Sequence, residues 1–80
     1  MGVESKRGKR MKKYRLKYIV NGRDGKVKYF DTRNDAESYM GRVLLRTGLD
    51  VSDIIFKDND HSQEFYCNDY SRFTIDRISA

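Results

Sequence analysis

Proline and tryptophan are absent from this 80-residue chain, and cysteine and histidine occur once each. Without proline there is no polyproline ligand and no Pro-rich linker. A lone cysteine, Cys67, makes no internal disulfide, so a reducing cytoplasm is the expected compartment. Cys67 and His61 together leave a zinc site two ligands short. As a nucleophile pair they lack an orienting third group. Cys67 reads as a small apolar strand residue and His61 as a solvated loop residue. No apolar run approaches the ~18 residues that span a membrane. The basic N-terminus precedes no apolar segment, so it does not read as a secretory signal. Lys6 stands where N-myristoylation requires Ser or Thr.

Other chemistries fail on spacing. Asp58-Asn59-Asp60 begins like a calcium loop. Ser62, Gln63 and Asp69 then occupy the positions that need a third ligand, a glycine and a glutamate. Gly22 and Gly25 do not lead directly into a helix, so they form neither a P-loop nor a dinucleotide fingerprint. No catalytic constellation remains, and no cofactor is expected.

What is present is charge, divided by position. Residues 1–49 hold 14 of the 17 Lys and Arg but 5 of the 12 acids, a net of +9, and residues 50–80 carry −4. Eight basic residues fall in the first 17 positions against Glu4 alone. Such a block attracts polyanions, of which nucleic acid is the commonest. Residues 1–12 read as a flexible basic arm and 13–80 as one small domain, with Met11 a second candidate start. The arm reads either as a phosphate-contacting segment or as a solubilising tail. The continuation of positive charge onto the strands beyond it favours the first.

Tyr14, Leu16, Tyr18 and Val20 alternate with Arg15, Lys17 and Ile19, the period of a half-buried strand. Asn21-Gly22 and Asp24-Gly25 are turn dipeptides, and Lys26–Phe30 resumes as a second strand. Thr32 is a helix N-cap with Asp35 in a capping-box-like position. Ala36, Met40, Val43, Leu44 and Thr47 make the buried stripe. Gly48 is the C-terminal stop with Leu49 folding back on Leu44, so the helix spans about 33–47. Gly41 suggests close packing of the helix on the sheet. Ile54-Ile55-Phe56 suits a buried strand, residues 58–62 a loop, and Glu64–Asn68 and Arg72–Ile78 two further strands. The ββαβββ order predicts an α+β, two-layer sandwich, with an antiparallel sheet carrying one helix on one face.

The basic hairpin with a glycine turn reads Tyr14-Arg15-Leu16-Lys17-Tyr18 and Asp24-Gly25-Lys26. An aromatic-x-Thr helix entry follows at Phe30-Asp31-Thr32, then Ala36 and Tyr39. Residues 14–45 thereby resemble the arm-type (AP2-like) DNA-binding domains at the N-termini of phage and transposon tyrosine integrases. That resemblance implies a sheet that enters the major groove. The chain departs from it in having two strands before the helix and an acidic β-rich segment after it. In size and style it is also similar to small phage-encoded inhibitors of host defence or host enzymes.

The expected function is therefore a small non-enzymatic DNA- or RNA-binding protein, phage or mobile-element encoded. The expected contacts are Lys6, Arg7, Lys9, Arg10, Lys12 and Lys13 of the arm and its junction, and Arg15, Lys17, Lys26 and Lys28 as one basic hairpin face. Arg33, Arg42 and Arg46 add charge from the helix, and Tyr29, Tyr39 and Tyr66 are candidates for base stacking. The alternative is an inhibitor or adaptor that docks a host protein through an acidic edge of Asp50, Asp53, Asp58 and Asp60. A third expectation is a homodimer through an unprotected last strand. No membrane partner is expected.

Overall fold

The computed structural model describes residues 12–78. Lys6, Arg7, Lys9 and Arg10, with the rest of the arm before Lys12, lie outside the described residues. The chain runs β1 (Tyr14–Val20), β2 (Arg23–Asp24), β3 (Lys28–Phe30), α1 (Arg33–Thr47), β4 (Asp53–Lys57), β5 (Ser62–Asn68) and β6 (Ser71–Arg77). The described strands form one antiparallel sheet in the order β2-β1-β6-β5-β4, with β3 also paired to β1. The helix packs on one face, which gives the α+β sandwich expected from the pattern.

Local chemistry sets the helix ends. The Asp35 N–H donates to Thr32 Oγ1 at 3.1 Å, satisfying one of the first-turn amides. At the other end Gly48 takes φ 74°, and the N–H groups of Gly48 and Leu49 both reach the Leu44 carbonyl, at 2.9 and 3.1 Å. Between them Ala36, Met40 and Val43 are buried against Leu16, Phe65, Phe73 and Ile75. Leu44 is only half-buried and Thr47 is exposed, so the stripe is narrower than expected. Gly41 lies on the solvent side, with no atom near enough to touch a Cβ built there, so it marks no close approach to the sheet.

Three departures from expectation follow from how the sheet is assembled. First, the second strand of the hairpin is broken. Asn21 and Gly22 both take positive φ, 53° and 80°, the requirement of a two-residue type I′ turn. Ile19 then faces Asp24, but Leu16 faces Lys28 and Arg15 faces Tyr29. One extra residue has entered between the two registers, a bulge at residues 25–27. Since side chains alternate, a one-residue slip exchanges the faces beyond it. Gly25 permits the bulge: a Cβ there would overlap the Tyr18 ring, which lies across it.

Second, β4 is not buried. All five of its residues are exposed. A helix is ~10 Å across, little more than two strand spacings of ~4.8 Å. It lies over β1, β3 and β6 and stops short of the far edge. Third, the last strand is not an edge. β6 sits between β1 and β5 in the middle of the sheet, so the expected edge dimer through it is excluded.

Candidate nucleic-acid interface

The bulge decides where the basic residues go. In an unbroken hairpin Lys26 and Lys28 would stand beside Lys17 and Arg15 on the face opposite the helix. Instead Lys28 pairs with Leu16 and turns to the helix side, where its ammonium lies 5.7 Å from the centre of the Tyr39 ring. Lys26 is exposed within the bulge, and Tyr29 takes the outer position next to Arg15. The single basic hairpin face is not formed.

The outer face that remains is internally compensated. Arg15 Nη2 is 3.1 Å from Asp76 Oδ2, and Asp76 Oδ1 also accepts from Ser62 Oγ at 2.6 Å. Lys57 Nζ is 3.3 Å from Glu64 Oε1, which accepts from the Tyr66 hydroxyl at 2.7 Å. Arg72 lies over the Tyr66 ring at 5.9 Å, so that ring is already occupied. The Tyr66 hydrogen bond holds the Glu64 carboxyl below its ordinary pKa; Lys57 and Arg72 add to this, while burial opposes it. A depression of about 590 Å³ on this face is lined by both signs, with Lys17 and Arg72 beside Asp24, Glu64 and Asp76. It is no phosphate groove.

The helix side is different. Arg42 and Arg46 follow Tyr39 at i+3 and i+7, on one stripe of α1, and both are exposed. Arg46 is close enough to Tyr39 to oppose the rise in its pKa, which a hydrogen bond to Tyr18 and burial produce. Arg23 pairs with Val20 and so projects to this same side from β2. Arg23, Lys26 and Lys28 thus follow the β2–β3 edge, and of these Lys28 meets the helix, at Tyr39 on the Arg42–Arg46 stripe. Lys12 and Lys13 are exposed where β1 begins, with Lys12 Nζ 3.8 Å from Asp31. Arg33 sits over Tyr14 at 5.8 Å and donates to the Asp60 carbonyl at 3.2 Å, so it ties the helix start to the β4–β5 turn.

The topology converts charge order in the sequence into charge separation in space. Residues 12–49, which supply β1, β2, β3 and α1, carry ten basic residues and four acids. Residues 50–70, with β4 and β5, carry Lys57 alone against six acids. β6 lies between the two groups, along a molecule 48 Å in its longest dimension. Asp50, Asp53, Asp58 and Asp60 are all exposed along the far edge. Asp53 opens β4, Asp50 lies in the segment that leads into it, and Asp58 and Asp60 are in the turn after it. That turn is unusual: Asp58, Asn59 and Asp60 are consecutive left-handed residues with φ of 55°, 55° and 68°, a conformation Asn and Asp tolerate best.

Arg23, Arg42 and Arg46 complete the basic side, and the hairpin pattern alone did not single them out as contacts. Arg42 and Arg46 are visible in the sequence as helix charges, whereas Arg23 stands between the two turn dipeptides, where no alternation assigns it a face. Cys67 is half-buried on the helix-facing side of β5, and burial, with Asp50 nearby, pushes its thiol pKa up. Such a thiol is a poor nucleophile. Among the described residues no three His, Cys, Asp or Glu side chains gather closely enough to hold a metal ion. Among the same residues no helix is long and apolar enough to cross a membrane. Comparison of the chain with protein-family models, curated proteins and solved structures returned no match.

Proposed function

We propose that this chain is a small non-enzymatic nucleic-acid-binding module that holds phosphates along its basic end. The supporting observation is the spatial separation of charge: ten basic residues and four acids in residues 12–49, set apart from the acidic β4–β5 end. In this reading Arg23, Lys26, Lys28, Arg42 and Arg46 form the contact band. Lys12 and Lys13 extend it toward Lys6, Arg7, Lys9 and Arg10. Arg15 contributes little, because Asp76 already neutralises it. The resemblance of residues 14–45 to arm-type integrase domains points to the same ligand, and with it to a phage or mobile-element origin. The contact, however, is assigned to the sheet edge and helix rather than to the compensated outer face. Phosphate neutralisation of this kind gives affinity with limited base readout.

The test is a salt series with duplex DNA and single-stranded RNA of equal length. Changing Lys26, Lys28, Arg42 and Arg46 to Glu should weaken binding strongly. It should also flatten the slope of log K against log salt by up to ~0.9 per lost duplex contact. Changing Arg15 and Lys17 should have a smaller effect. Equal losses from both sets, or no loss from the first, would remove the assigned band. A second reading, docking of a basic host protein by Asp50, Asp53, Asp58 and Asp60, is favoured by their exposure along one edge. It predicts the reverse: the acidic set carries activity and the basic band is dispensable.

A further inference from the structure

We propose that the chain self-associates through β4, two copies pairing antiparallel about Ile55 to give one continuous sheet with a two-fold axis. Among the described residues β4 is an edge strand, paired only with β5, and the helix does not reach it. Ile54, Ile55 and Phe56 are 46%, 39% and 54% exposed, three consecutive apolar residues on an open edge. Proteins usually blunt such an edge with proline, a bulge or a covering element. β4 has no proline, and it pairs with β5 in unbroken register from Asp53 to Lys57.

What selects a second copy as the occupant is the strand read against itself. With Ile55 on the axis, Asp53 faces Lys57 of the second copy, and Lys57 faces its Asp53. Ile54 faces Phe56 of the second copy and the reverse, and Ile55 meets Ile55. Opposite charge meets opposite charge twice, and every remaining pair is apolar. The faces agree as well. Asp53, Ile55 and Lys57 stand with Tyr66, Glu64 and Ser62 on the outer side, while Ile54 and Phe56 stand with Phe65 and Gln63 on the helix side. The Ile54 N–H also donates to the Asp53 carboxylate at 3.0 Å, a local contact at the exposed start of the strand. Cross-strand ion pairs and apolar pairs of this kind each favour association, and like charges directly opposite oppose it.

Two features set the expected strength. The interface is one short strand per copy, smaller than the ~1,600 Å² of a standard complex, so association is weak. The two ion pairs also lie at exposed ends of the strand, where ~0.15 M salt screens them. In this arrangement the basic ends of the two copies point away from each other, so self-association and nucleic-acid binding use separate surfaces.

The experiment is sedimentation equilibrium of the full chain, freed of nucleic acid, from ~1 µM to ~1 mM. The wild-type chain should pass from monomer to dimer within that range. Asp53→Lys and Lys57→Asp should each weaken the dimer about tenfold or more, because each turns both ion pairs into like-charge pairs. An equal mixture of the two variants should restore a dimer, since opposite charges then face each other at both ends. Ile55→Lys, which places two ammonium groups on the axis, should abolish it; circular dichroism of each variant verifies folding. A wild-type monomer at every concentration would overturn the proposal. So would a dimer indifferent to Ile55→Lys, or a mixture no tighter than its components.

Discussion

Gly25 and Gly41 offer the same chemical change, glycine to alanine, with opposite expected signs. At Gly25 the new Cβ would overlap the ring of Tyr18. That ring is half-buried and packed on one side. It stacks on Phe73, with centroids 5.2 Å apart and planes 18° apart, and Phe73 is fully buried. Tyr18 also faces the Tyr39 ring, with centroids 6.4 Å apart and planes tilted by 54°. Relief requires moving the bulge or the stack, and overpacking of this kind costs ~1–3 kcal/mol. The Gly25 backbone is not left-handed, so the penalty is steric rather than conformational. Gly41 sits in the exposed face of α1 with nothing within 4 Å of a Cβ. There alanine removes the backbone entropy cost of glycine and gains ~0.5–1 kcal/mol. For a domain of this size one kcal/mol moves the melting temperature by ~4–8 °C. Thermal unfolding followed by circular dichroism should show Gly25→Ala lower by roughly 5–20 °C and Gly41→Ala higher by roughly 2–8 °C. In a Tyr18→Ala background the Gly25→Ala penalty should largely vanish, since the two sites share one clash. A Gly25→Ala variant that melts with the wild type would refute the bulge packing. A Gly41→Ala variant that melts lower would refute the solvent-facing placement.

Two more outcomes rest on titratable groups. The Glu64 carboxyl is held below its ordinary value of 4.5, so its contribution is present above that value and is lost as pH falls through the depressed one. The difference in melting temperature between wild type and Glu64→Gln should therefore be largest near neutral pH and shrink as pH falls below 4.5; a constant difference would contradict the linkage. The raised pKa of Cys67 predicts slow alkylation by iodoacetamide in the folded chain and fast alkylation after denaturation, and equal rates would place the thiol in solvent.

The helix was legible to the residue because its signals are local. Thr32 caps one end, Gly48 the other, and the stripe through Ala36, Met40 and Val43 has the right period. The strand starts were nearly as clear, Tyr14 as read and Ser71 one residue before the expected Arg72, because alternation is also local. What the pattern did not carry was any quantity that depends on how elements lie across one another. Lys28 changes sides because one residue enters the ladder at the bulge, and nothing in Gly25-Lys26-Val27 states how many residues will oppose Lys17. Ile54-Ile55-Phe56 has the composition of a buried strand, yet its exposure is decided by the width of one helix laid elsewhere on the sheet. The candidate contact band suffered the same loss: its residues were visible as charges, while their grouping depended on register.

β1 and β6 are neighbours at the centre of the sheet, and the Ile78 N–H donates to the Lys13 carbonyl at 2.8 Å. During synthesis this arrangement imposes a wait. The strand that Leu16 needs beside it leaves the ribosome after every other described strand, so neither the hairpin with its helix nor the β4–β5 pair can close a common core beforehand. Folding is therefore gated by a contact between the two extremes of the domain, a long loop to close and a slow class of topology. A chain that loses β6 loses the seam between its two halves, and protease sensitivity should rise in both at once. Because the two ends of the domain meet side by side, a short linker joining them, with new termini opened in the exposed β4–β5 turn, would turn that latest contact into a local one.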